Sequence, residues 1–263
     1  MKSWVPVLQL LLLIFSGQVW AQADRVVDIP TRPGVTQRFV YLAAENPKAA
    51  VILFPGGHGG LQIQPNASFT WGESNFLVRT RQLFSQNGLS VAVVDSPSDH
   101  QIAPFLGGFR QRPEHVADAK AVIAWLKQQA NVPVWLVGTS MGTLSAAFIA
   151  TQAGPRDGGP EGLVLTSTML TFDAGRPVPA MPLKNIAIPV LIVHHESDGC
   201  KYCAYRDMPL LMEKLKSTPR KELMTFSGGV SRGDPCEAMA YHGFNGLEKD
   251  VVGKIAQWII QTK

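Results

Sequence analysis

The sequence lacks internal repeats, low-complexity tracts and long blocks of like charge. Nothing therefore divides the chain into repeating units, and its 263 residues suit one sizeable domain. Apolar residues make up 46% of the chain, which favours a well-buried core over disorder. The formal net charge is only +4 and the basic residues form no cluster, which argues against nucleic acid as a partner.

Apolar runs long enough to span a bilayer are also missing. The apolar segment 5–15 follows Lys2 and precedes the small residues of "VWAQA", and it is short for a membrane anchor. A positive start, a short apolar core and an A-x-A end predict a secretory signal peptide over residues 1–23, cleaved near Ala21 or Ala23. No cysteine lies beside that site, so attachment of a lipid is not supported.

Cysteine is scarce, with three residues in the whole chain. We expect residues 24–263 to form a single exported domain, periplasmic or secreted. In such an oxidising compartment Cys200, Cys203 and Cys236 can form one disulfide and leave one thiol.

Strand-like and helix-like patterns alternate through the predicted mature chain. Strands are predicted at residues 38–44, 49–55, 89–95, 132–138, 162–168, 189–195 and 221–228, and helices at 75–87, from Pro113, after Ser140, at 204–216 and at 247–260. The strands are continuous apolar runs, which is typical of a sheet that is covered on both faces. The alternation predicts a three-layer α/β/α sandwich with a mostly parallel sheet.

The segment "GTSMG" lies where one predicted strand ends and a helix begins. Ser140 would occupy a sharp turn, and only residues without a β-carbon fit at Gly138 and Gly142. The free N–H groups of the following helix would face an oxyanion that forms beside Ser140. This segment resembles the nucleophile elbow of the α/β-hydrolase family, and the order of elements resembles that family, in particular its compact esterases and dienelactone-hydrolase-like members, over nearly the whole predicted mature chain.

A serine hydroxyl needs a base, and the base needs an orienting carboxylate. The family order of serine, acid and histidine implies Asp198 as the acid, because it precedes a glycine in the turn after a strand. Glu196 and Asp207 are the competing carboxylates near the same strand end.

The same order implies His242 as the base, because it is the only histidine after the last predicted strand. His194 and His195 end a strand, where packing or capping is the preferred interpretation. His100 and His115 precede the serine and are out of family order.

An oxyanion hole completes such a site. The resemblance implies the N–H of Met141 as one donor and the loop "PGGHGG" as the source of the second. The family commonly has a histidine–glycine pair where this chain has Pro55 and Gly56. Gly57 is then the matching donor, and His58 is the less favoured choice.

The family arrangement would also bring the acid loop and the histidine loop together. A disulfide between Cys200 and Cys236 would then tie them, with Cys203–Cys236 the second and Cys200–Cys203 the third choice. A different interpretation treats "HHESDGCKYC" with Cys236 and His242 as zinc ligands. A second ligand pair at regular spacing is absent from the sequence, so we expect neither a metal nor another cofactor.

Residues 169–189 stand where such hydrolases insert a lid, and they are proline-rich and short. A minimal lid and an open cleft are therefore expected. Phe105, Phe109, Arg110 and Arg112 belong to a long loop that could wall the cleft, although an ordinary loop position is the preferred interpretation for each of them.

These features predict an exported serine hydrolase that cleaves carboxylic esters of small or exposed substrates through an acyl-enzyme. A peptidase or a thioesterase would use the same three residues. A non-catalytic binding protein with the same fold is the alternative from another class.

Overall fold

The computed structural model describes residues 24–262, and the predicted signal peptide lies outside them. Eight strands form one sheet: β1 (Arg25–Arg32), β2 (Val35–Leu42), β3 (Ala49–Phe54), β4 (Leu89–Val94), β5 (Val134–Thr139), β6 (Gly162–Thr166), β7 (Val190–His195) and β8 (Lys221–Phe226). The α-helices are α1 (Phe76–Arg79), α2 (Arg81–Gln86), α3 (Pro113–Gln129), α4 (Gly142–Gln152), α5 (Met208–Lys214) and α6 (Glu248–Gln261). None of them is long and apolar enough to cross a membrane.

The strand order across the sheet is β1-β2-β4-β3-β5-β6-β7-β8. β1 and β2 pair antiparallel, β2 and β4 pair antiparallel, and the remaining neighbours are parallel. α-Helices lie in most of the connections between parallel strands, and they cover both faces of the sheet. The predicted three-layer sandwich with a mostly parallel sheet is confirmed.

Two apolar clusters lie on the two faces of the sheet. One contains side chains of α3, α4 and α5, and the other contains side chains of α1, α2 and α6. Every residue of β3, β4, β5 and β7 is buried, which explains why these strands consist mainly of apolar residues. β8 lies at the edge of the sheet and keeps exposed positions.

Three elements differ from the sequence prediction. β1 was not predicted, because Pro30 interrupts its pattern, and an edge strand tolerates that proline. The helix predicted at 75–87 is two short helices. Thr80 lies between them, and its hydroxyl donates to the carbonyl of Phe76, which also accepts the N–H of Thr80. The helix predicted at 204–216 begins only at Met208, after a 3₁₀ turn.

The segment between β6 and β7 is the predicted minimal lid. Its regular structure consists of two 3₁₀ turns, Val178–Ala180 and Leu183–Asn185. No lid helix therefore stands over the carboxyl ends of the strands in this segment.

Candidate active site

Ser140 occupies the sharp turn between β5 and α4. Its φ of +51° lies in the left-handed region, which is strained for a residue with a side chain. A Cβ at Gly138 would lie 2.6 Å from the carbonyl oxygen of Gly142, and a Cβ at Gly142 would overlap the carbonyl of Phe54. The chain therefore passes so close on both sides of Ser140 that only glycine fits at these positions.

Asp198 and His242 meet where β7 ends and a 3₁₀ turn, Tyr241–Gly243, begins. Oδ2 of Asp198 lies 2.9 Å from Nδ1 of His242, and both side chains are buried. A carboxylate accepts hydrogen bonds, so Nδ1 carries the proton and Nε2 keeps its lone pair. The other oxygen, Oδ1, accepts the N–H of Cys200 at 2.9 Å, which fixes the orientation of the carboxylate.

The imidazole of His242 reaches the same cavity as Ser140. Within residues 24–262 its Nε2 atom is buried and has no hydrogen-bond partner. Ser140 and His242 both line this cavity, although the structure contains no hydrogen bond between them. The structure thus brings the three residues that the sequence predicted to one end of the sheet.

The cavity has a volume of about 360 Å³. Its walls combine aromatic rings, thioethers, backbone of small residues and the disulfide. They comprise Gly56, Gly57, Trp71, Gly72, Ser74, Asn75, Phe76, Thr139, Ser140, Met141, Met169, Phe172, Cys200, Tyr202, Cys236, Glu237, Ala238, His242 and Gly243. No lysine or arginine is among these lining residues, and Glu237 is the single carboxylate.

The two backbone segments predicted as oxyanion donors both reach this cavity. Gly57 and Met141 line it, while His58 does not. The His58 ring lies between Trp71 and Phe105, with ring centroids 3.8 and 4.4 Å away, and burial lowers its pKa. The side chain of His58 therefore packs between these two rings and is not part of the cavity lining.

The competing carboxylates lie away from this arrangement. Neither Glu196 nor Asp207 lines the cavity, and neither forms a hydrogen bond with a histidine among the described residues. Glu196 is exposed, whereas Asp198 is only 8% exposed. Asp198 is the carboxylate that contacts His242.

A second histidine also lies beside Asp198, which the sequence did not indicate. Nε2 of His194 is 3.4 Å from Oδ2 of Asp198 and 2.8 Å from the carbonyl of Cys203. Burial lowers the pKa of His194 to about 4, so this ring is neutral near neutral pH and leaves the negative charge of Asp198 available to His242. The only signal in the sequence was the spacing of four residues between His194 and Asp198.

The structure contains the disulfide Cys200–Cys236, the first choice from the sequence. It connects the loop of Asp198 to the loop that leads to His242. Cys203 is a buried free thiol, and burial raises its pKa. Ligand atoms of Cys200, Cys203 and His242 lie within 4.8 Å of one another, but Cys200 is no thiolate while the disulfide is intact.

The long loop after β4 supports the site from behind. Phe105, Phe109, Arg110 and Arg112 do not line the cavity, so they form no wall of it. Asp95, at the start of this loop, accepts three backbone N–H groups from residues 61–63 at 2.7–3.1 Å. Its buried carboxylate therefore fixes the path of the chain beyond "PGGHGG".

Comparisons with known proteins agree on the fold. No protein-family model matches the sequence, and no curated protein matches it. Solved structures do match. An α/β serine hydrolase homologue from Coxiella burnetii is 15% identical, with a TM-score of 0.60, over 90% of this chain and 99% of that chain. An esterase from Pyrococcus furiosus is 14% identical, with a TM-score of 0.63, over 90% of this chain and 91% of that one.

A dienelactone hydrolase from Anabaena variabilis is 15% identical, with a TM-score of 0.57, over 90% of this chain and 96% of that chain. At such identities the likeness concerns the fold alone. Together with the strand order and the strained serine turn, it shows that this chain has the α/β-hydrolase fold.

Proposed function

We propose that this protein is a serine hydrolase that cleaves carboxylic esters through an acyl-enzyme. The observation that carries the proposal is the buried pair of Asp198 and His242: His242 lines the same cavity as Ser140, and its Nε2 has no hydrogen-bond partner among the described residues. A histidine held by a carboxylate at one nitrogen and open at the other is the base that a serine nucleophile needs.

In the proposed reaction Oγ of Ser140 attacks the ester carbonyl carbon and its proton passes to Nε2 of His242. The carbonyl oxygen becomes an oxyanion, which the N–H groups of Met141 and Gly57 would stabilise. His242 then protonates the departing alcohol, which leaves an acyl group on Ser140. Water, deprotonated by His242, releases the acid by the reverse sequence.

The cavity favours a small, uncharged ester. Its volume suits a short acyl or aryl group, and Trp71, Phe172 and Tyr202 offer apolar contacts. A carboxylate on the substrate would find no lysine or arginine among the lining residues, and Glu237 would repel it. We therefore propose neutral short-chain or aryl esters as the substrate class.

We also propose that the protein is exported. The predicted signal peptide and the Cys200–Cys236 disulfide support this, because structural disulfides persist in oxidising compartments. Mass spectrometry of protein recovered from cells that produce the full-length chain tests it. A mature N-terminus after Ala21 or Ala23 is expected, and an intact N-terminus in an export-competent host would contradict export.

The hydrolase proposal is tested by p-nitrophenyl butyrate hydrolysis with the parent and a Ser140→Ala variant. We expect turnover by the parent and a loss of about 10⁴-fold or more in kcat for the variant. An initial burst of p-nitrophenol equal to the enzyme concentration would report acylation when deacylation is slower. A folded parent that hydrolyses no ester in a panel of acyl lengths would favour the binding-protein alternative.

A further inference from the structure

A buried guanidinium lies behind the cavity, outside its lining. Arg110 is only 4% exposed. It donates to Oγ of Ser145 at 2.9 Å, to the carbonyl of Gly57 at 3.0 Å and to the carbonyl of Pro55 at 3.4 Å. One side chain thus joins helix α4 to the loop that follows β3.

The charge of Arg110 has no carboxylate partner, since it forms no ion pair within residues 24–262. A buried charge with neutral partners is costly for stability, so retaining it requires a compensating role. Nearby His115 is buried, and its pKa falls to about 3, chiefly through burial and further through the charge of Arg110. Near neutral pH that histidine is neutral and adds no second cation.

The loop "PGGHGG" leaves space for the side chain of Arg110. A Cβ at Gly59 would lie 2.6 Å from Nη2 of Arg110, so a larger residue there would displace the guanidinium. The φ of Gly59 is +79°, a conformation that glycine adopts without strain. The glycines of "PGGHGG" therefore do more than form a turn, because one of them makes room for Arg110.

The partners of Arg110 belong to the two segments that supply the proposed oxyanion donors. Gly57 lies in one, and Ser145 lies in the helix whose start carries Met141. Charge-assisted hydrogen bonds to both segments would fix the distance between the two donors. The positive charge also lies beside the backbone of Gly57, one of the two proposed donors.

We propose that Arg110 is a positioning residue for the oxyanion hole: it holds the Gly57 loop against helix α4 and stabilises the developing oxyanion from behind. The inference rests on the proposed function, because an oxyanion forms only if Ser140 attacks a carbonyl. Since the charge develops in the transition state, losing Arg110 should lower kcat and leave KM nearly unchanged.

The test compares Arg110→Met, Arg110→Lys and the matched control Arg112→Met in p-nitrophenyl butyrate hydrolysis. Arg112 is exposed and lies 3.8 Å from Glu114, so its removal should leave kcat unchanged. For Arg110→Met we expect kcat to fall by about 10- to 100-fold, with KM within about threefold of the parent. Arg110→Lys replaces the planar fork by a single amine, and its kcat should fall by about three- to tenfold.

Near-ultraviolet circular dichroism shows whether each variant is folded. A folded Arg110→Met protein with the kcat of the parent, or with a raised KM in place of a lowered kcat, would overturn the inference. If Arg110→Met does not fold, Arg110→Lys decides, and an unchanged kcat there overturns it as well. If the parent hydrolyses no ester, both the proposed function and the role of Arg110 are wrong. If the parent is active and the Arg110 variants have its kcat, only the role of Arg110 is wrong.

Discussion

Oδ2 of Asp198 lies 2.9 Å from Nδ1 of His242, across 44 residues of sequence. This contact assigns the proton to Nδ1 and leaves the lone pair on Nε2, the base in the proposed reaction. Replacing Asp198 by asparagine would offer an amide that can donate to Nδ1, which favours the wrong tautomer. We expect Asp198→Asn to lower kcat by about 10³- to 10⁴-fold with a retained fold. Steady-state kinetics measures this, and a loss of less than about tenfold would argue against the assigned tautomer.

The disulfide should contribute substantially to stability. Cys200–Cys236 closes a loop with a sequence separation of 36 residues, for which the chain-entropy relation gives about 4 kcal/mol. We expect the Cys200→Ser/Cys236→Ser double variant to lose about that much free energy of unfolding in urea titrations. Cys203→Ser is the control, since Cys203 has a free thiol. This substitution should change the free energy of unfolding by about 1 kcal/mol or less.

Reducing agent adds a second comparison for the disulfide. It should lower the Tm of the parent to that of the double variant and leave the double variant unaffected. Equal stability of parent and double variant would show that the bond does not constrain the fold.

The glycines around Ser140 should not tolerate a side chain. A methyl group at Gly142 would overlap the carbonyl of Phe54, so Gly142→Ala should destabilise the protein by about 1–3 kcal/mol and abolish most ester hydrolysis. The matched control is Gly253→Ala in α6, where a Cβ meets no atom within 4 Å. That change should stabilise the protein by about 0.5–1 kcal/mol. An active, stable Gly142→Ala protein would show that the turn can accommodate a methyl group at this position.

A negative charge on the substrate should lower kcat/KM. We expect kcat/KM for p-nitrophenyl butyrate to exceed that for p-nitrophenyl hemisuccinate about tenfold or more, after correction for their rates with hydroxide. Glu237→Gln should lower the ratio of the two kcat/KM values only about two- to threefold, because Glu237 is exposed and its charge is screened by solvent. Equal rates for the two esters would contradict the proposed neutral substrate class.

Acid should destabilise the protein partly through His115. Both of its ring nitrogens are buried and have no hydrogen-bond partner in the described part of the chain, and burial lowers its pKa to about 3. The unfolded state therefore takes up a proton near pH 6.5 that the folded state does not bind, and stability falls as the pH drops below that value.

His115 packs edge-on against Phe54 and Phe109, so His115→Phe keeps an aromatic ring there without the titrating nitrogens. Between pH 7.5 and 5 this variant should lose about 2 kcal/mol less than the parent. Urea titrations at both pH values measure the difference. Equal losses of free energy of unfolding in the parent and in His115→Phe would show that His115 takes up its proton in the folded state as well.

Much of the fold could be predicted from short-range patterns. The apolar runs of β3 to β7 and the glycines beside Ser140 identify the sheet and the turn, because burial on both faces and close chain approach dictate those residue types. The resemblance to the α/β-hydrolase family implies Asp198 and His242, because the family order of serine, acid and histidine matches their places after β7 and after the last strand.

The supporting residues could not be predicted in this way. Arg110 and Arg112 look alike in the sequence, yet one is buried and the other exposed, and only the path of a long loop distinguishes them. The contact of His194 with Asp198 depends likewise on how the chain turns after β7. Edge strand β1 was missed because its proline would be disfavoured in a central strand.

We propose that His242 activates Ser140, and covalent labelling is the sharpest test of that step. The parent, Ser140→Ala and His242→Ala proteins are treated with a fluorophosphonate and analysed by intact and peptide mass spectrometry. We expect one adduct per molecule on the peptide that contains Ser140, no adduct on Ser140→Ala, and labelling of His242→Ala slower by about 10³-fold or more. Labelling of a different residue, or equal labelling rates for the parent and His242→Ala, would contradict it.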